Sequence, residues 1–572
     1  MTTDRRRQQS REVMQRVAVT SSTMPELLAA AAAPGRGGWF FHSGHDVTAL
    51  PVKDLYARAL KRATDLARAD VGRGTNVGLV GQNCPEWAEW AWATWLAGAT
   101  LVPLPAPVVV GGSFGEQVSS LVAATGCSVV VGEKRYLDLL VGEHFAQWDW
   151  SAQAPRHPFL SPATTSSGPG ATGDHASTAG ATEVSPSDLA VVLCTSGSTA
   201  APKGVRMSHA RALEWARQNA LHPQDGAVPA MVNWFPFFHI AGLGLLFQVV
   251  TPVDQHIVAM KHFLADPASW LRLVSETGAS HVVSPSSIWS EVLEAVVGRP
   301  EGIDLSHLEQ LAFNAELADP DMVARVRDVC GPRGLHPGTI TVHYASSEAG
   351  MISRTTPGHD PRVDSVDLAE LVRSGHALAA RPGQPVKRVV SCGRPYPGGE
   401  ICVGGPGRPL PEREVGDVWV RGPGVTDGYV NLHDSESFAG GWLRVGDLAY
   451  MDQGELFVTG RSDEVVVHLG EKYHPEDIER AVLQVTGLSP RACAAFSRQD
   501  GQAGEFVVVV EADHLPDLPR RASAAIADAV GIAPSEVLVV PHGTVPTTPN
   551  GKLQRSKLRQ MHARGELDQW RT

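Results

Sequence analysis

The chain has 572 residues, of which 43% are hydrophobic and 19% are charged, and its formal net charge is −12. This composition excludes a wholly disordered chain, and the acidic balance without a long Lys/Arg run argues against a nucleic-acid binder. Seven scattered cysteines without a CxxC pair exclude a disulfide scaffold and a cysteine zinc site, and they are typical of a reducing cytoplasm.

The start of the chain predicts a leader and no membrane span. Residues 1–16 are polar and basic, and the apolar run at 27–33 is too short for a signal peptide, so we expect residues 1–24 to be a flexible leader before a first helix. The most apolar stretch contains Pro103, Pro105 and Pro107, which a membrane helix does not tolerate so close together. We therefore expect a soluble, cytoplasmic protein.

Alternating strand and helix patterns predict a layered α/β domain with a parallel sheet. Residues 151–188 interrupt this alternation with a low-complexity stretch, which we expect to be a mobile surface loop. The predicted elements, in chain order, are a helix at 51–70, a strand at 77–80, a helix at 85–96, and strands at 100–104, 128–132 and 189–193.

A smaller α+β unit is predicted after residue 460. We expect a large N-terminal domain of several subdomains at 25–460, a hinge at 461–463 and a small, mobile C-terminal lid domain at 461–572. The elements behind this division are strands at 417–420 and 456–458 before the hinge, and a strand at 465–468, a helix at 475–485 and strands at 505–511 after it.

The strongest chemical signal is a loop of small hydroxyl residues and glycine that follows a buried strand and ends in a lysine. Small side chains let backbone N–H groups approach phosphate oxygens, hydroxyls add donors, and a lysine neutralises charge. An ordinary Ser/Gly turn is the alternative; the missing Gly-Lys-Ser/Thr ending excludes a Walker A loop and disfavours a P-loop kinase. The candidate phosphate-binding residues are Thr195, Ser196, Gly197, Ser198, Thr199 and Lys203.

Five further motifs follow this loop, and their order is more specific than any one of them. With these motifs the chain resembles the superfamily of adenylate-forming enzymes, which includes acyl-CoA synthetases, adenylation domains of peptide synthetases and luciferases. The resemblance covers nearly the whole chain, residues 25–572. The motifs are an aromatic–histidine segment at 234–242, a Tyr-Ala-Ser-Ser-Glu loop at 344–348, a Gly-Asp motif at 446–447, a hinge motif at 460–464 and a Gly-Lys motif at 549–552.

The resemblance implies a nucleotide site made of these motifs. The phosphate loop and Lys203 would surround the ATP phosphates, and Glu348 would hold Mg²⁺, a cation that favours carboxylate and phosphate oxygens. Asp447 would accept hydrogen bonds from the ribose hydroxyls, and Arg461 would contact ribose or phosphate. The other nucleotide-binding candidates are Asn314 and Tyr344, beside the adenine, and Ser347.

The resemblance also implies a two-step reaction and a lid that rotates about Asp463. Lys552 would bridge the carboxylate of the acid and the α-phosphate in the first step, and Gly470 would line a narrow pantetheine channel in the second. His239 joins Lys552 and Glu348 as a candidate catalytic residue, in a gating or lining role, and Lys472 is a cofactor-binding candidate. Taken alone, each of these residues also fits an ordinary structural role, such as a packed histidine or a surface lysine.

One signal concerns the acyl acceptor. Forty-three residues separate Glu348 from Cys392, and segments at 363–371, 390–395 and 454–461 resemble the fatty acyl-AMP ligase branch. Those enzymes pass the acyl group to the phosphopantetheine of a carrier protein and not to free CoA. The alternative is a surface loop without catalytic consequence, because loop insertions cost little entropy.

Three residues around the expected nucleotide depart from the family pattern. Ala200, Asn314 and Ala345 stand where the family usually has glycine, which permits a positive φ and close backbone approach. These replacements predict a weakened adenylation step. A separate adenylating enzyme would then supply the acyl-adenylate.

The leading interpretation is an acyl-CoA ligase that activates a carboxylic acid as its acyl-adenylate and then forms a CoA thioester. One alternative is a fatty acyl-AMP ligase that loads an acyl carrier protein. The other is a non-catalytic protein that binds an acyl-adenylate. The implied cofactors are ATP, with AMP as its product, Mg²⁺ and coenzyme A.

Overall fold

The chain, described here from a computed structural model, divides into two compact units. The first comprises Met1–Thr195, Pro202–Ala265 and Thr426–His433, and the second comprises Ser196–Ala201, Asp266–Val425 and Asp434–Thr572. The residues that the structure describes are 21–33, 37–44, 46–111, 114–142, 144–151, 183–195, 203–220, 229–250, 252–298, 302–314, 316–430, 437–488, 490–498, 504–513, 517–548 and 552–571.

The first unit alternates strands and helices along the chain. Its described strands are β1 (Gly38–Ser43), β2 (Asp46–Pro51), β3 (Asn76–Val80), β4 (Thr100–Leu104), β5 (Cys127–Gly132), β6 (Ala146–Asp149), β7 (Leu189–Thr195), β8 (Lys203–Ser208), β9 (Ala230–Asn233) and β10 (Asp254–Val258). Its described helices are α1 (Met24–Ala32), α2 (Val52–Arg68), α3 (Pro85–Leu96), α4 (Phe114–Ala124), α5 (Lys134–Leu137), α6 (His209–Gln218), α7 (Ile240–Phe247) and α8 (Met260–Ala265).

Six strands of the first unit form one sheet, in the order β6-β5-β3-β4-β7-β8. Neighbouring strands are parallel except in the terminal β7–β8 hairpin. Four other strands run in the order β9-β10-β1-β2, and of these only β2 is antiparallel to its neighbour. The central strand β4 is buried along its whole length, which explains its continuous apolar sequence.

Helix α3 lies deep in the core of the first unit. Ten consecutive residues of α3 are buried, most of them apolar. The charged residue among them, Glu89, pairs with Arg58 at 3.1 Å. The four tryptophans of α3 are each exposed by 1% or less; they are Trp87, Trp90, Trp92 and Trp95.

The second unit contains more and shorter elements. Its described strands are β11 (His281–Ser284), β12 (Gln310–Phe313), β13 (Ile340–Ser346), β14 (Gly350–Arg354), β15 (Val363–Asp367), β16 (Val386–Val390), β17 (Arg394–Pro395), β18 (Glu400–Val403), β19 (Gly416–Arg421), β20 (Phe438–Ala439), β21 (Trp442–Asp452), β22 (Glu455–Arg461), β23 (Val466–His468), β24 (Glu471–Tyr473), β25 (Cys493–Ser497), β26 (Phe506–Glu511) and β27 (Glu536–Val540). Its described helices are α9 (Ala268–Thr277), α10 (Ser286–Val297), α11 (Pro320–Cys330), α12 (Leu368–Ser374), α13 (Pro475–Thr486), α14 (Leu518–Val530) and α15 (Arg555–Ala563).

These strands form several small sheets. One set runs in the order β17-β14-β13-β12-β11, and in another β21 pairs with β19, β20 and β22. Near the end of the chain, β25, β26 and β27 form a three-stranded sheet. Ile478 of α13 and Ile526 of α14 lie in one hydrophobic cluster with this sheet, and Leu558 of α15 lies in another, so helices cover both of its faces.

The predicted elements are confirmed in type and close to their predicted bounds. The helix predicted at 51–70 is α2, that at 85–96 is α3, and that at 475–485 is α13. Within the described residues, no helix is both long and apolar enough to cross a membrane. The domain boundary after residue 460 stays a prediction, and residues 1–20 of the predicted leader and 152–182 of the predicted loop lie outside the described residues.

Candidate active site

The phosphate-loop motif begins and ends on the β7–β8 hairpin of the first unit. Thr195 and Lys203 are the last paired residues before the loop that connects the two strands, so strand pairing holds the two ends of this loop together. The Lys203 ammonium lies 5.5 Å from the centre of the Tyr429 ring, within the range of a cation–π contact. Outside the described residues lie Ser196, Gly197, Ser198, Thr199 and Ala200, as does the side chain of Thr195.

Two asparagines hold the turn that carries the aromatic–histidine motif. The Asn83 amide donates to the Phe235 carbonyl at 2.8 Å, and its oxygen accepts the Phe237 N–H at 2.7 Å. Asn233 accepts the Phe235 N–H at 2.7 Å. Sequence analysis missed Asn83, because 152 residues separate it from Phe235 and no local pattern marks the contact. Phe235, Phe237 and the adjacent Trp234 are packed in the core of the first unit.

His239 caps the N-terminus of helix α7. Its Nδ1 accepts the Ala241 N–H at 3.2 Å, which places the proton of the neutral ring on Nε2. In this tautomer Nε2 is a hydrogen-bond donor and not a base. Gly242 lets the helix start against the turn, because a Cβ there would lie 1.9 Å from the Pro236 carbonyl oxygen. The catalytic role of His239 stays a prediction, and the cap favours lining over proton transfer.

Tyr344, Asp447 and Arg461 meet in the second unit. The Tyr344 hydroxyl donates to Asp447 Oδ2 at 2.5 Å, and Arg461 Nη1 donates to Oδ1 at 3.2 Å. Asp447 and Arg461 are paired across β21 and β22, which accounts for their contact. Burial and then the Asp447 carboxylate raise the pKa of Tyr344 well above its usual range, so the hydroxyl is a donor. The structure therefore brings Tyr344, predicted to lie beside the adenine, together with Asp447 and Arg461, predicted to contact the ribose.

The predicted hinge follows directly from this cluster. Arg461 Nε donates to Asp463 Oδ1 at 3.2 Å, and the Ser462 N–H donates to the Gly446 carbonyl at 3.0 Å. Gly446 has a φ of 87°, a left-handed conformation that glycine adopts without strain. The hinge role of Asp463 stays a prediction.

Ser347 and Glu348 lie in the turn between β13 and β14. Ser346 Oγ accepts the Ala349 N–H at 3.1 Å and closes this turn. In the described part of the chain, no group of three or more His, Cys, Asp or Glu side chains could hold a metal ion. Mg²⁺ is usually held by one or two carboxylates together with substrate phosphates, so the single carboxylate of Glu348 fits the role predicted for it.

Two of the three positions that lack the family's glycine have ordinary backbone conformations. Among the described residues, the non-glycine residues with positive φ are Asp70, Arg413, Gln453 and Leu469. Asn314 and Ala345 are not among them, so neither residue strains its own backbone. Glycine would also permit close approach of a ligand, so the weakened adenylation step stays a prediction, and Ala200 lies outside the described residues.

Lys552 is exposed, and its backbone pairs with that of Thr548. The Lys552 N–H donates to Thr548 Oγ1 at 3.0 Å, and its carbonyl accepts the Thr548 N–H at 2.8 Å. Burial raises the pKa of Glu316, and the positive charge of Lys552 acts against that rise. The catalytic role of Lys552 stays a prediction.

Gly470 and Lys472 belong to the β23–β24 hairpin. Leu469 and Gly470 form its two-residue turn, with φ values of 51° and 89°. The turn itself therefore favours glycine at 470, independently of any channel. A Cβ at Gly470 would have no atom within 4 Å, which leaves open space beside it, and Lys472 is exposed. Their cofactor-binding roles stay predictions.

The link, residues 349–391, is a folded element. Its strands β15 and β16 pair antiparallel, and α12 lies between them in sequence. Asp364 Oδ2 accepts a hydrogen bond from the Tyr450 hydroxyl at 2.8 Å and pairs with Arg413 Nη2 at 2.9 Å. These contacts fix β15 to β21, so the link is not an irregular loop, and its catalytic consequence stays a prediction.

The link also contacts the predicted lid. Leu368 of α12 lies in one hydrophobic cluster with Val466 and Ile478. Lys387 of β16 donates to Asp477 Oδ2 at 2.5 Å, and the two side chains are only 6% and 7% exposed. Although burial opposes it, the Lys387 charge lowers the pKa of Asp477. Removing one partner of such a buried pair costs about 3–5 kcal/mol, because the other charge is left without compensation.

The same motifs occur in a known protein family. A family model described as an AMP-binding enzyme matches residues 15–430 of the chain. The chain belongs to the AMP-binding enzyme family. It is therefore a member of the adenylate-forming superfamily, as the order of its motifs predicted.

Relatives of this AMP-binding enzyme carry names with different acyl acceptors. The chain is 27% identical to a protein of Mycobacterium bovis named as fatty-acid–CoA ligase FadD21, over 80% of this chain and 83% of the relative. It is 26% identical to JamA of Moorena producens, named as a medium-chain-fatty-acid–[acyl-carrier-protein] ligase, over 68% and 70%. A solved structure from work on fatty acyl-adenylate ligases of E. coli and L. pneumophila has a TM-score of 0.82 at 23% identity, covering 95% and 98%. That likeness shows the shared fold.

Proposed function

We propose that this AMP-binding enzyme activates a carboxylic acid with ATP and transfers the acyl group to the phosphopantetheine thiol of an acyl carrier protein. In the first step a carboxylate oxygen attacks the α-phosphorus, and pyrophosphate leaves. In the second step the thiol sulfur attacks the acyl carbonyl, loses its proton, and AMP leaves with the electron pair of the broken C–O bond.

The contacts around Asp447 support the first step. Asp447 is held by Tyr344 and Arg461, so its carboxylate is fixed before a ribose arrives. The exposed Lys552 would offset the negative charge that grows as the carboxylate attacks. Glu348 would hold Mg²⁺, which would supply further positive charge for the phosphates.

The contacts between the link and the lid support a carrier protein as the acyl acceptor. The Lys387–Asp477 pair and Leu368 join the link to the lid, and Asp364 joins it to β21. Rotation of the lid would have to break the buried pair. A ligand can favour the rotated lid only if it binds that orientation more tightly than the other. A docking protein has more contact surface than free CoA with which to gain this extra affinity. A carrier protein is therefore the favoured acceptor.

Acyl-CoA ligation is the second candidate function. The open space beside Gly470 would admit a pantetheine arm from either thiol carrier, and FadD21 is named as a CoA ligase. Both candidates share the adenylation step and differ only in the thiol that follows.

A weakened adenylation step stays part of the proposal, although backbone strain supports it neither at Asn314 nor at Ala345. Its test is Ala200→Gly in acid-dependent pyrophosphate exchange. A gain of tenfold or more on restoring glycine would support a weakened step. An unchanged rate would contradict a weakened adenylation step, and a separate adenylating enzyme would then not be needed.

The experiment for the proposed function uses the full chain with ATP, Mg²⁺ and a panel of short, medium and long fatty acids and aromatic acids. Acid-dependent exchange of labelled pyrophosphate into ATP is expected with at least one acid. Adding a phosphopantetheine-bearing carrier protein should then release AMP and increase the mass of the carrier by the acyl group. Stoichiometric binding of an acyl-adenylate without exchange or transfer would instead indicate a non-catalytic binding protein.

A further inference from the structure

Arg555 is the first residue of helix α15 and lies buried among carboxylates. Its Nε and Nη2 each donate to Glu479 at 2.7 Å, and Nη1 donates to Glu464 Oε2 at 2.6 Å. Glu476 Oε1 lies 3.4 Å from Nη2, and the Arg555 side chain is only 10% exposed. The planar guanidinium therefore bridges two separate parts of the chain, Glu464 after the predicted hinge and Glu479 on helix α13.

The position of Arg555 is unfavourable for a cation by local criteria. The N-terminus of a helix carries the positive end of its dipole, and a buried cation also loses its hydration. The preceding Gln554 makes no side-chain capping bond to α15. Among the described residues, three carboxylates offset these costs, so tertiary contacts hold Arg555 in place against the preference of its own helix.

These contacts connect the start of α15 to the predicted hinge. Arg555 follows Lys552 by three residues, and Glu464 directly follows the predicted hinge residue Asp463. Glu479 also accepts the Ala495 N–H at 2.9 Å, which ties the guanidinium to β25. The backbone of Lys552 is thus held by its pair with Thr548 and, three residues later, by the contacts of Arg555.

We infer that Arg555 is the positioning residue of Lys552: through Glu464 and Glu479 it fixes the start of α15, three residues after the lysine, to the hinge and to the lid core, and so sets where the ammonium group arrives during adenylation. This inference rests on the proposed function, since it assigns Lys552 to the adenylation step. Arg555 itself does not touch the substrate. A purely structural brace would affect both half-reactions and would act equally with or without Lys552.

The test measures the two half-reactions separately in the full chain. Pyrophosphate exchange reports adenylation, and thioester formation from a synthetic acyl-adenylate reports transfer. Arg555→Gln is expected to slow exchange about 100-fold, the loss typical of an ångström-scale misplacement, and to leave transfer within about threefold. Arg555→Lys keeps the charge without the planar fork and should lose about tenfold. Arg564→Gln, an exposed arginine of the same C-terminal segment, is the matched control and should leave both rates unchanged.

A double-mutant comparison decides between positioning and bracing. If Arg555 acts through Lys552, the double variant of Arg555→Gln and Lys552→Ala exchanges no more slowly than Lys552→Ala alone. The inference would be overturned if the double variant exchanged pyrophosphate about 100-fold more slowly than Lys552→Ala alone. It would also be overturned if Arg555→Gln slowed both half-reactions equally. If Arg555→Gln fails to fold, the same comparison is made with Arg555→Lys. The absence of exchange in the wild type would overturn the proposed function and this inference together, whereas additivity in an active wild type would overturn the inference alone.

Discussion

The Tyr344 hydroxyl and the Asp447 carboxylate share a 2.5 Å hydrogen bond, although 103 residues separate them in the sequence. Arg461 occupies the other carboxylate oxygen at 3.2 Å. A carboxylate held on both sides cannot swing away from the position in which it would meet a ribose. Preorganisation of this kind lowers the entropy lost when the nucleotide binds.

Loss of the Asp447 carboxylate should weaken nucleotide binding. Asp447→Ala removes charge-assisted hydrogen bonds of about 1.5–3 kcal/mol, so the KM for ATP in pyrophosphate exchange should rise about 10- to 100-fold. The matched control is Tyr450→Phe, which removes a similar tyrosine–aspartate bond, to Asp364, from the same strand. The control should lower thermal stability and leave the KM for ATP unchanged. An unchanged KM in Asp447→Ala would contradict the ribose role.

Substitution of Gly470 should separate channel effects from turn effects. Gly470→Asn adds a side chain and keeps the left-handed backbone within reach, since Asn tolerates that conformation better than Leu does. We expect adenylation to persist and transfer to a pantetheine thiol to fall at least tenfold. Gly531→Asn is the control, because Gly531 also has a positive φ, of 81°, and also has no atom near its Cβ position. Equal behaviour of the two variants would argue against a channel at Gly470.

Release of the link should change the acceptor. Lys387→Glu places two negative charges together where a buried ion pair held the link on the lid, and the Asp364 contacts keep β15 anchored. Acyl-CoA formation should rise at least tenfold, because the lid gains freedom to rotate. Arg388→Glu is the control: Arg388 is next in sequence, and its pair with Asp321 is exposed. If acyl-CoA formation is no higher in Lys387→Glu than in Arg388→Glu, the link does not select the acceptor.

Buried histidines should make the protein less stable in mild acid. Burial lowers the pKa of His209, His281 and His474 from the ordinary value of 6.5 to about 4. Below pH 6.5 the unfolded chain therefore takes up protons that the folded chain does not. The free energy of unfolding should fall between pH 6.5 and pH 4, by up to about 1.4 kcal/mol per pH unit for each histidine.

His281→Gln should reduce the pH dependence of the free energy of unfolding by the contribution of one histidine. The measurement is the thermal midpoint of the wild type and of His281→Gln at several values between pH 4.5 and pH 7. The difference between the two should shrink as the pH falls. A constant difference across this range would contradict the buried neutral histidine.

Local patterns predicted the elements well, because hydrophobic periodicity and proline placement act within a few residues. Helix α3, with Pro85 in its first turn, has the bounds that the sequence predicted. The motif order likewise predicted that Tyr344, Asp447 and Arg461 belong together. What local patterns could not predict are contacts set by tertiary packing: Asn83 with Phe235, Lys387 with Asp477 and Arg555 with Glu479.

The same limit applies to the positions that lack the family's glycine. The departures at Asn314 and Ala345 indicate strain only if the native backbone has a positive φ, and a sequence alone does not give φ. Both positions take ordinary conformations, and Ala345 lies at an irregularity in the β13–β14 pairing that shifts the register without requiring glycine.

The most direct measurement of the central claim is a competition between the two thiols. The full chain receives ATP, Mg²⁺, the acid that gives the fastest pyrophosphate exchange, and equal concentrations of CoA and a phosphopantetheine-bearing carrier protein. Mass spectrometry then quantifies both acyl thioesters against the AMP released. The account predicts that the acyl carrier protein accounts for at least nine-tenths of the product. Acyl-CoA in equal or greater amount would contradict it.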